Sequence, residues 1–258
     1  MKIIEPKAEI LTPTNFEPET IDAIYNKIEL AGRTCYKSEN NKVKEIEETI
    51  GLLQDENSDY SKLFSENVKK SKIEKLQQQL IEEKRKSSRK FVSNLIKHGH
   101  EAMIEHAFMT VRFTVDRGIS HELVRHRMAS FAQSSTRYCN YSQDKFGNEI
   151  TVINPFYLQE KTLAYDAWYQ ACKQAERSYF VMLECGNTPQ EARAVLPNSL
   201  KTEVVVTANF REWRNIFKLR AAGTTGKPHP QMVEVMLPLL QKCQEAMPEL
   251  FGDIEVVE

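Results

Sequence analysis

The sequence predicts a mixed fold of the α/β class, α+β in type, with a few strands set among long amphipathic helices. Three observations predict it. The stretch "FMTVRFTVDRG" (108–118) alternates Met109, Val111, Phe113 and Val115 with Thr110, Arg112 and Thr114, which is the period of a half-buried strand. "LAYDAWYQACKQAERSYFVML" (163–183) instead places Ala164, Trp168, Ala171, Cys172, Ala175, Tyr179 and Met182 along one helical stripe. Residues 40–90 are dominated by Lys, Glu, Gln, Asn and Ser, yet Ile46, Ile50 and Leu53, and again Ile73, Leu76 and Leu80, recur at helical spacing.

Taken in order, the polar stretch reads as two helices joined near "DENSDYS" (55–61), a charged helical hairpin inserted at about 40–88. A solvated surface insertion and a partner-binding arm both fit it. "KFVSNLIKHGHEAMIEHAF" (90–108) begins as an amphipathic helix through Phe91, Leu95 and Ile96 and ends at Gly99. The strand after it closes at the Asp116-Arg117-Gly118 turn, and Ser120 is placed to cap a helix. Val124, Met128 and Phe131 at i, i+4 and i+7 carry that helix to about Gln133, before the Ser-Ser-Thr run dissolves it. Gly186 closes the 163–183 helix, and Thr188-Pro189 opens another that stops at Pro197. "TEVVVTA" (202–208) is a short buried strand. Asn209 with Glu212 makes a capping-box-like start to "FREWRNIFKLR", whose Phe210, Trp213 and Phe217 face the core while Arg211 and Asn215 share another face. Met232, Val235, Met236, Leu239, Leu240, Cys243 and Met247 form a last amphipathic helix, bent near Pro238.

Composition narrows the function. The 258 residues, 41% of them hydrophobic, can bury a sizeable core, as one large domain or two small ones, and a single domain with the 40–88 stretch inserted in it is expected. The mean hydropathy of −0.51 has its source in the 40–90 stretch. Lys and Arg number 35 against 36 Asp and Glu, a formal net charge of −1, so no basic face tracks a nucleic acid. Five cysteines without CxxC spacing do not make a disulfide framework and suit a reducing cytoplasm. The opening "MKIIEPKAEI" lacks a signal-peptide core, and no run approaches the ~18 apolar residues of a membrane span. A soluble, cytoplasmic protein is expected, with neither nucleic acid nor membrane as partner.

Against that balanced background, "RHRMASFAQSSTRY" (125–138) gathers Arg125, His126, Arg127, Gln133, Ser134, Ser135, Thr136 and Arg137. Guanidinium forks suit phosphate or carboxylate oxygens, and hydroxyls and amides complete such a cradle. Two forks on one phosphate supply roughly 3–6 kcal/mol, enough to anchor a small metabolite. Arg193 and Arg220 stand in similarly uncharged local company. The nine glycines form neither GxGxxG nor GxxxxGK[ST], so a phosphate is held mainly by side chains. His98, His100 and His106 offer no metal-site spacing, and Ser134 and Ser135 lie in no nucleophile motif. Cys139 reads as an inert thiol before a nucleophile. On these residues alone, an enzyme, a non-catalytic nucleotide or flavin binder and an RNA-binding module remain open.

The spacing Arg125-His126-Arg127, seven residues, then Ser135 resembles the RHR(x)7S signature of the flavin-dependent thymidylate synthases. The similarity extends through "GRTCYKS" (32–38), "GHEAMIEH" (99–106), "SFAQSSTRY" (130–138), "ARAVLP" (192–197) and "TANFREWRNIFKLR" (207–220), nearly the whole chain outside 40–88. The resemblance implies reductive methylation of dUMP to dTMP, with methylenetetrahydrofolate as carbon donor, FAD as hydride carrier, NADPH as reductant and no covalent nucleophile. It implies a central, mostly antiparallel sheet flanked by helices, in a homotetramer whose active sites are shared between subunits. His106, Arg125, His126, Arg127, Gln133, Asn209, Arg211 and Asn215 then correspond to flavin contacts, and Glu122, Gln133, Ser134, Ser135, Thr136, Arg137, Arg193 and Arg220 to the dUMP site. Arg220 takes the catalytic part, stabilising charge on the pyrimidine edge. Two departures stand out: Glu122 occupies a place where some relatives carry Gln, and the 40–88 stretch is long.

Overall fold

The computed structural model describes residues 1–144 and 147–256. Two short strands, β1 (Lys2–Ile4) and β2 (Lys7–Thr12), precede helices α1 (Pro18–Tyr36), α2 (Asn41–Gln54), the single turn α3 (Asp59–Lys62) and α4 (Glu66–Lys97). A 3₁₀ turn at Glu101–His106 leads into β3 (Phe108–Asp116), α5 (Arg117–Leu123) and β4 (Ala129–Gln133). Then come β5 (Thr151–Ile153), α6 (Leu163–Glu184), α7 (Pro189–Ala192), β6 (Lys201–Asn209), α8 (Phe210–Arg220), α9 (Pro230–Ala246) and α10 (Pro248–Phe251). The chain divides into two compact units: Met1–Thr14 with Phe108–Glu245 and Ile254–Glu258, and Asn15–Ala107 with Ala246–Asp253.

The first unit is built on an antiparallel sheet of order β2-β3-β6-β4, with β1 and β5 as a separate parallel pair. The alternation read from the sequence is what buries one face: Met109, Val111 and Phe113 stand opposite Ala208, Val206 and Val204, all 3% exposed or less. β6 is buried on every second residue rather than throughout, with Thr202, Val204, Val206 and Ala208 turned inward. Helix α8 lies on that face through Phe210, Trp213 and Phe217, each fully buried. The Trp213 indole N–H donates to the Met109 carbonyl at 2.9 Å, so its polar edge costs nothing to bury. The β1–β5 pair packs with α6, where Cys172 joins Ile150, Val152 and Leu200 and is flanked by Trp168.

The second unit is helical. Asn40 caps α2 by accepting from the Val43 N–H at 3.3 Å, and Ile50 and Leu53 are buried on its inner face. The expected hairpin is present as α2 and α4, but α4 runs 32 residues and absorbs the helix read at 90–98. Gly99, in the left-handed region at φ 70°, ends it. Helix α1, whose Ile21, Tyr25 and Ile28 are buried, crosses α4 at Gly32, where a β-carbon would overlap the Phe91 ring. Asp22 accepts from Arg85 at 2.7 Å and from Arg89 at 2.9 Å, and Glu29 pairs with Arg33 at 2.7 Å.

Two expectations fail here. Ser120 is no cap: the Asp116 carboxylate accepts from the Ile119 N–H at 2.7 Å, while Ser120 is buried and donates to the Arg117 carbonyl. The helix expected to reach Gln133 stops at Leu123, and Ala129–Gln133 is an edge strand paired antiparallel with Val204–Ala208. The same residues satisfy both periods, since Phe131 belongs to the i, i+4, i+7 series and to the alternation Ala129, Phe131, Gln133. The ladder to β6 decides between them. Val124 and Met128, meant for the helix's apolar face, are 38% and 71% exposed.

Candidate functional site

The early stop of α5 shapes the site. The N–H groups of Val124, Arg125 and His126 turn back to the carbonyls of Ser120, Glu122 and Leu123 at 3.2 Å each, so the Arg-His-Arg triplet sits on an irregular turn between helix and strand. Its side chains diverge: His126 is 5% exposed, whereas Arg125 and Arg127 are exposed.

Below the turn, side chains from α5 and α8 converge. Arg220, in the last turn of α8, donates from Nη1 to Glu122 Oε2 at 2.7 Å and from Nε to His126 Nε2 at 3.1 Å. A guanidinium only donates, so Nε2 must be the acceptor and the ring's single proton must sit on Nδ1. That nitrogen lies 3.3 Å from Glu212 Oε1. Burial, and next the Arg220 guanidinium, hold the His126 ring below the ordinary histidine range, against the opposing pull of Glu212. Asn209 caps α8 through the Glu212 N–H at 2.9 Å, and Asn215 Nδ2 approaches both Glu212 oxygens at 3.4 Å.

A second group follows β4. Ser134 leaves the strand with its N–H on the Glu203 carbonyl at 2.9 Å. Ser135 Oγ accepts from the Arg137 N–H at 3.3 Å, and Arg193 Nη1 donates to Thr136 Oγ1 at 3.2 Å, with Thr136 buried. Gln133 is turned into its own unit, donating to Ser120 Oγ at 2.9 Å and Thr202 Oγ1 at 3.2 Å. Arg211 is exposed on α8, and His106 is exposed at the end of the 3₁₀ turn of the helical unit. Among the described residues Arg125, Arg127, Arg137 and Arg193 form no ion pair, while Arg33, Arg85, Arg89, Arg112 and Arg220 all do. Arg117 Nη1 is buried without an acceptor. Such a donor set fits anionic groups held by side chains.

The family described as "Thymidylate synthase complementing protein" matches residues 20–249. The chain belongs to that family. Among its relatives, a protein of Corynebacterium glutamicum named flavin-dependent thymidylate synthase is 31% identical over 186 residues, covering 66% of this chain and 71% of the relative. One of the same name from Geobacter sulfurreducens is 34% identical over 164 residues, 63% of this chain and 68% of the relative. A third, from Pyrococcus abyssi, is 31% identical over 157 residues, 60% of this chain and 63% of the relative.

Within this family member, Glu122, His126 and Arg220 meet directly, and Asn209 and Asn215 join them only through Glu212. Sequence reasoning missed Glu212, which read as a helix cap, and Arg117, which read as a turn. The signal for Glu212 was available: an acid next to Arg211 and three residues before Asn215, yet set among Phe210, Trp213 and Phe217.

Proposed function

We propose that the chain makes dTMP by reductive methylation of dUMP, with methylenetetrahydrofolate as carbon donor and hydride passed from NADPH through FAD. The observation that carries this reading is the contrast among its arginines: those of the 125–137 stretch and Arg193 keep guanidinium groups without carboxylate partners, while Arg220 is oriented from two sides. RHR(x)7S at Arg125 to Ser135 is the family signature in this reading. Ser135, Thr136, Arg137 and Arg193 take the dUMP phosphate and sugar, with Ser134 and Gln133 beside them. Arg125, His126, Arg127, Asn209, Arg211, Asn215 and His106 hold the flavin. When bound, FAD supplies a two-electron carrier whose chemistry is its own.

The chain's own contribution is orientation and field. Methylation at C5 of uracil needs electron density pushed toward that carbon, which leaves negative charge on the N3/O2/O4 edge. Arg220, fixed by Glu122 and His126, places a guanidinium against that charge without having to reorganise at the moment of reaction. Glu122 accepts from Arg220 and, as a carboxylate, offers an acceptor to the uracil N3–H where an amide would offer either polarity. Ser135 Oγ is a substrate-binding hydroxyl: it accepts from the Arg137 N–H, and among the described residues no base lies on it to activate it as a nucleophile. The enzyme is a homotetramer with active sites shared between subunits, and the 40–88 hairpin is an insertion within one catalytic domain. Five free cysteines agree with a cytoplasmic setting, and among the described residues no helix is long and apolar enough to cross a membrane.

Purified protein should be yellow, and a mixture of dUMP, methylenetetrahydrofolate and NADPH should yield dTMP as NADPH is oxidised, each omission abolishing product. NADPH oxidation at the full rate without dTMP would point to a flavin reductase instead.

A further inference from the structure

We infer that Glu212 is a positioning residue for this reaction, acting through the His126 ring to fix the direction of the Arg220 guanidinium. The inference rests on the reading of Arg220 given above. His126 is the only side chain in contact with Arg220 Nε among the bonds of this cluster, and it can accept there only while its Nε2 is bare. Were the proton on Nε2, or on both nitrogens, two N–H groups would face one another at 3.1 Å and Arg220 would be driven off. Whatever keeps the proton on Nδ1 therefore keeps Arg220 in place.

Glu212 is built for that task. Its side chain is 11% exposed and that of His126 5%, so the pair lies out of bulk water, where a carboxylate's preference for a facing N–H is strong. The carboxylate's two oxygens lie at 3.4 Å from Asn215 Nδ2, and Asn209 fixes the backbone from which it springs by accepting from the Glu212 N–H. Asn209 and Asn215 thus support the orientation of Glu212 whatever else they touch. Removing the carboxylate leaves the ring two poor choices, a buried Nδ1–H with no acceptor or a proton on Nε2 that displaces Arg220. A plain capping role would need only the Glu212 N–H, which any residue supplies.

The test combines kinetics with nitrogen NMR of the histidine rings, His126 being assigned by its loss in His126→Gln. In the wild-type protein at neutral pH, His126 Nε2 should give the signal of a bare nitrogen and Nδ1 that of N–H. Glu212→Ala should move the proton to Nε2 or mix the two forms, and lower kcat about a hundredfold while KM for dUMP changes little. Glu212→Asp should restore the wild-type ring signal and most of kcat, which a cap or volume effect would not do. Glu212→Leu, which keeps the volume, carries the same readout should the alanine variant fail to fold. A wild-type ring protonated on Nε2 overturns the inference, as does a Glu212→Ala enzyme with unmoved ring proton and normal kcat. Wild-type protein that makes no dTMP instead removes the reading beneath it, and leaves the ring signals intact to show which of the two failed.

Discussion

The arginines of the helical unit and those of the 125–137 stretch and Arg193 in the sheet unit are the same side chain put to opposite uses. In the helical unit Arg33 is bound to Glu29, and Arg85 and Arg89 share Asp22, so every one of these guanidinium groups is neutralised where it stands. In the sheet unit Arg125, Arg127, Arg137 and Arg193 have no carboxylate, and the one paired arginine of the site, Arg220, is aimed rather than quenched: its Nε and Nη1 are tied while the side chain stays 22% exposed. The four guanidinium groups of Arg125, Arg127, Arg137 and Arg193 are exposed and carry no carboxylate, which leaves their N–H forks open to an anionic ligand. What this teaches is that arginine count says little about function and arginine partnership says much.

The comparison breaks most visibly at Arg220. Arg220→Ala should cost about a thousandfold in kcat, read by dTMP formation, with the fold retained by circular dichroism, because the loss falls on charge stabilisation rather than packing. Arg137→Ala or Arg193→Ala should raise KM for dUMP roughly tenfold to a hundredfold, the worth of one charge-assisted contact, and leave the melting temperature in place. Gly32→Ala, in the helical unit, should do the reverse: about 1–3 kcal/mol less stable by denaturant unfolding, from overlap with Phe91, with unchanged kcat per folded molecule. Arg85→Ala should cost about 1 kcal/mol or less, since Arg89 still reaches Asp22, and should not touch dUMP binding.

The two units should also answer pH differently. Burial pushes the Asp22 carboxyl up, but hydrogen bonds from Arg85 and Arg89 outweigh it and leave the group below its ordinary value. The stability it contributes is present above the carboxylate range and lost as pH falls through it. His126 is depressed below the ordinary histidine value, so the unfolded chain takes up a proton that the folded one refuses. Stability should therefore fall as pH drops from neutral through the window between the ordinary histidine value and the lower folded one, well before Asp22 titrates. His126→Gln should flatten that first decline in melting temperature and leave the second.

Much of the sheet unit was legible because its strongest signals are periodic and local. Met109 to Val115 and Phe210 to Phe217 announce their buried faces in the sequence alone, and Thr188-Pro189 announces a helix start that the structure shows as a capping box with Glu191. The Arg-rich stretch was legible as chemistry but not as geometry. Ala129–Gln133 becomes a strand because β6 has an open edge, a fact held by residues more than seventy positions away. Strands β1 and β5 escaped for the same reason, being three residues each, with a ladder to one another and a single further bridge from Val152 to Leu200. Glu212 escaped because its local role as an N-terminal acid of α8 is sufficient to explain it, and its contact with His126 spans 86 residues.

The most direct measurement is calorimetric titration of dUMP into the wild-type enzyme and into an Arg137→Ala/Arg193→Ala double variant. Wild type should bind a single dUMP per site, and the double variant should lose about a hundredfold or more in affinity with its melting temperature unchanged. Equal dUMP affinity in the two proteins would contradict the claim that these unpaired guanidinium groups exist to hold the nucleotide.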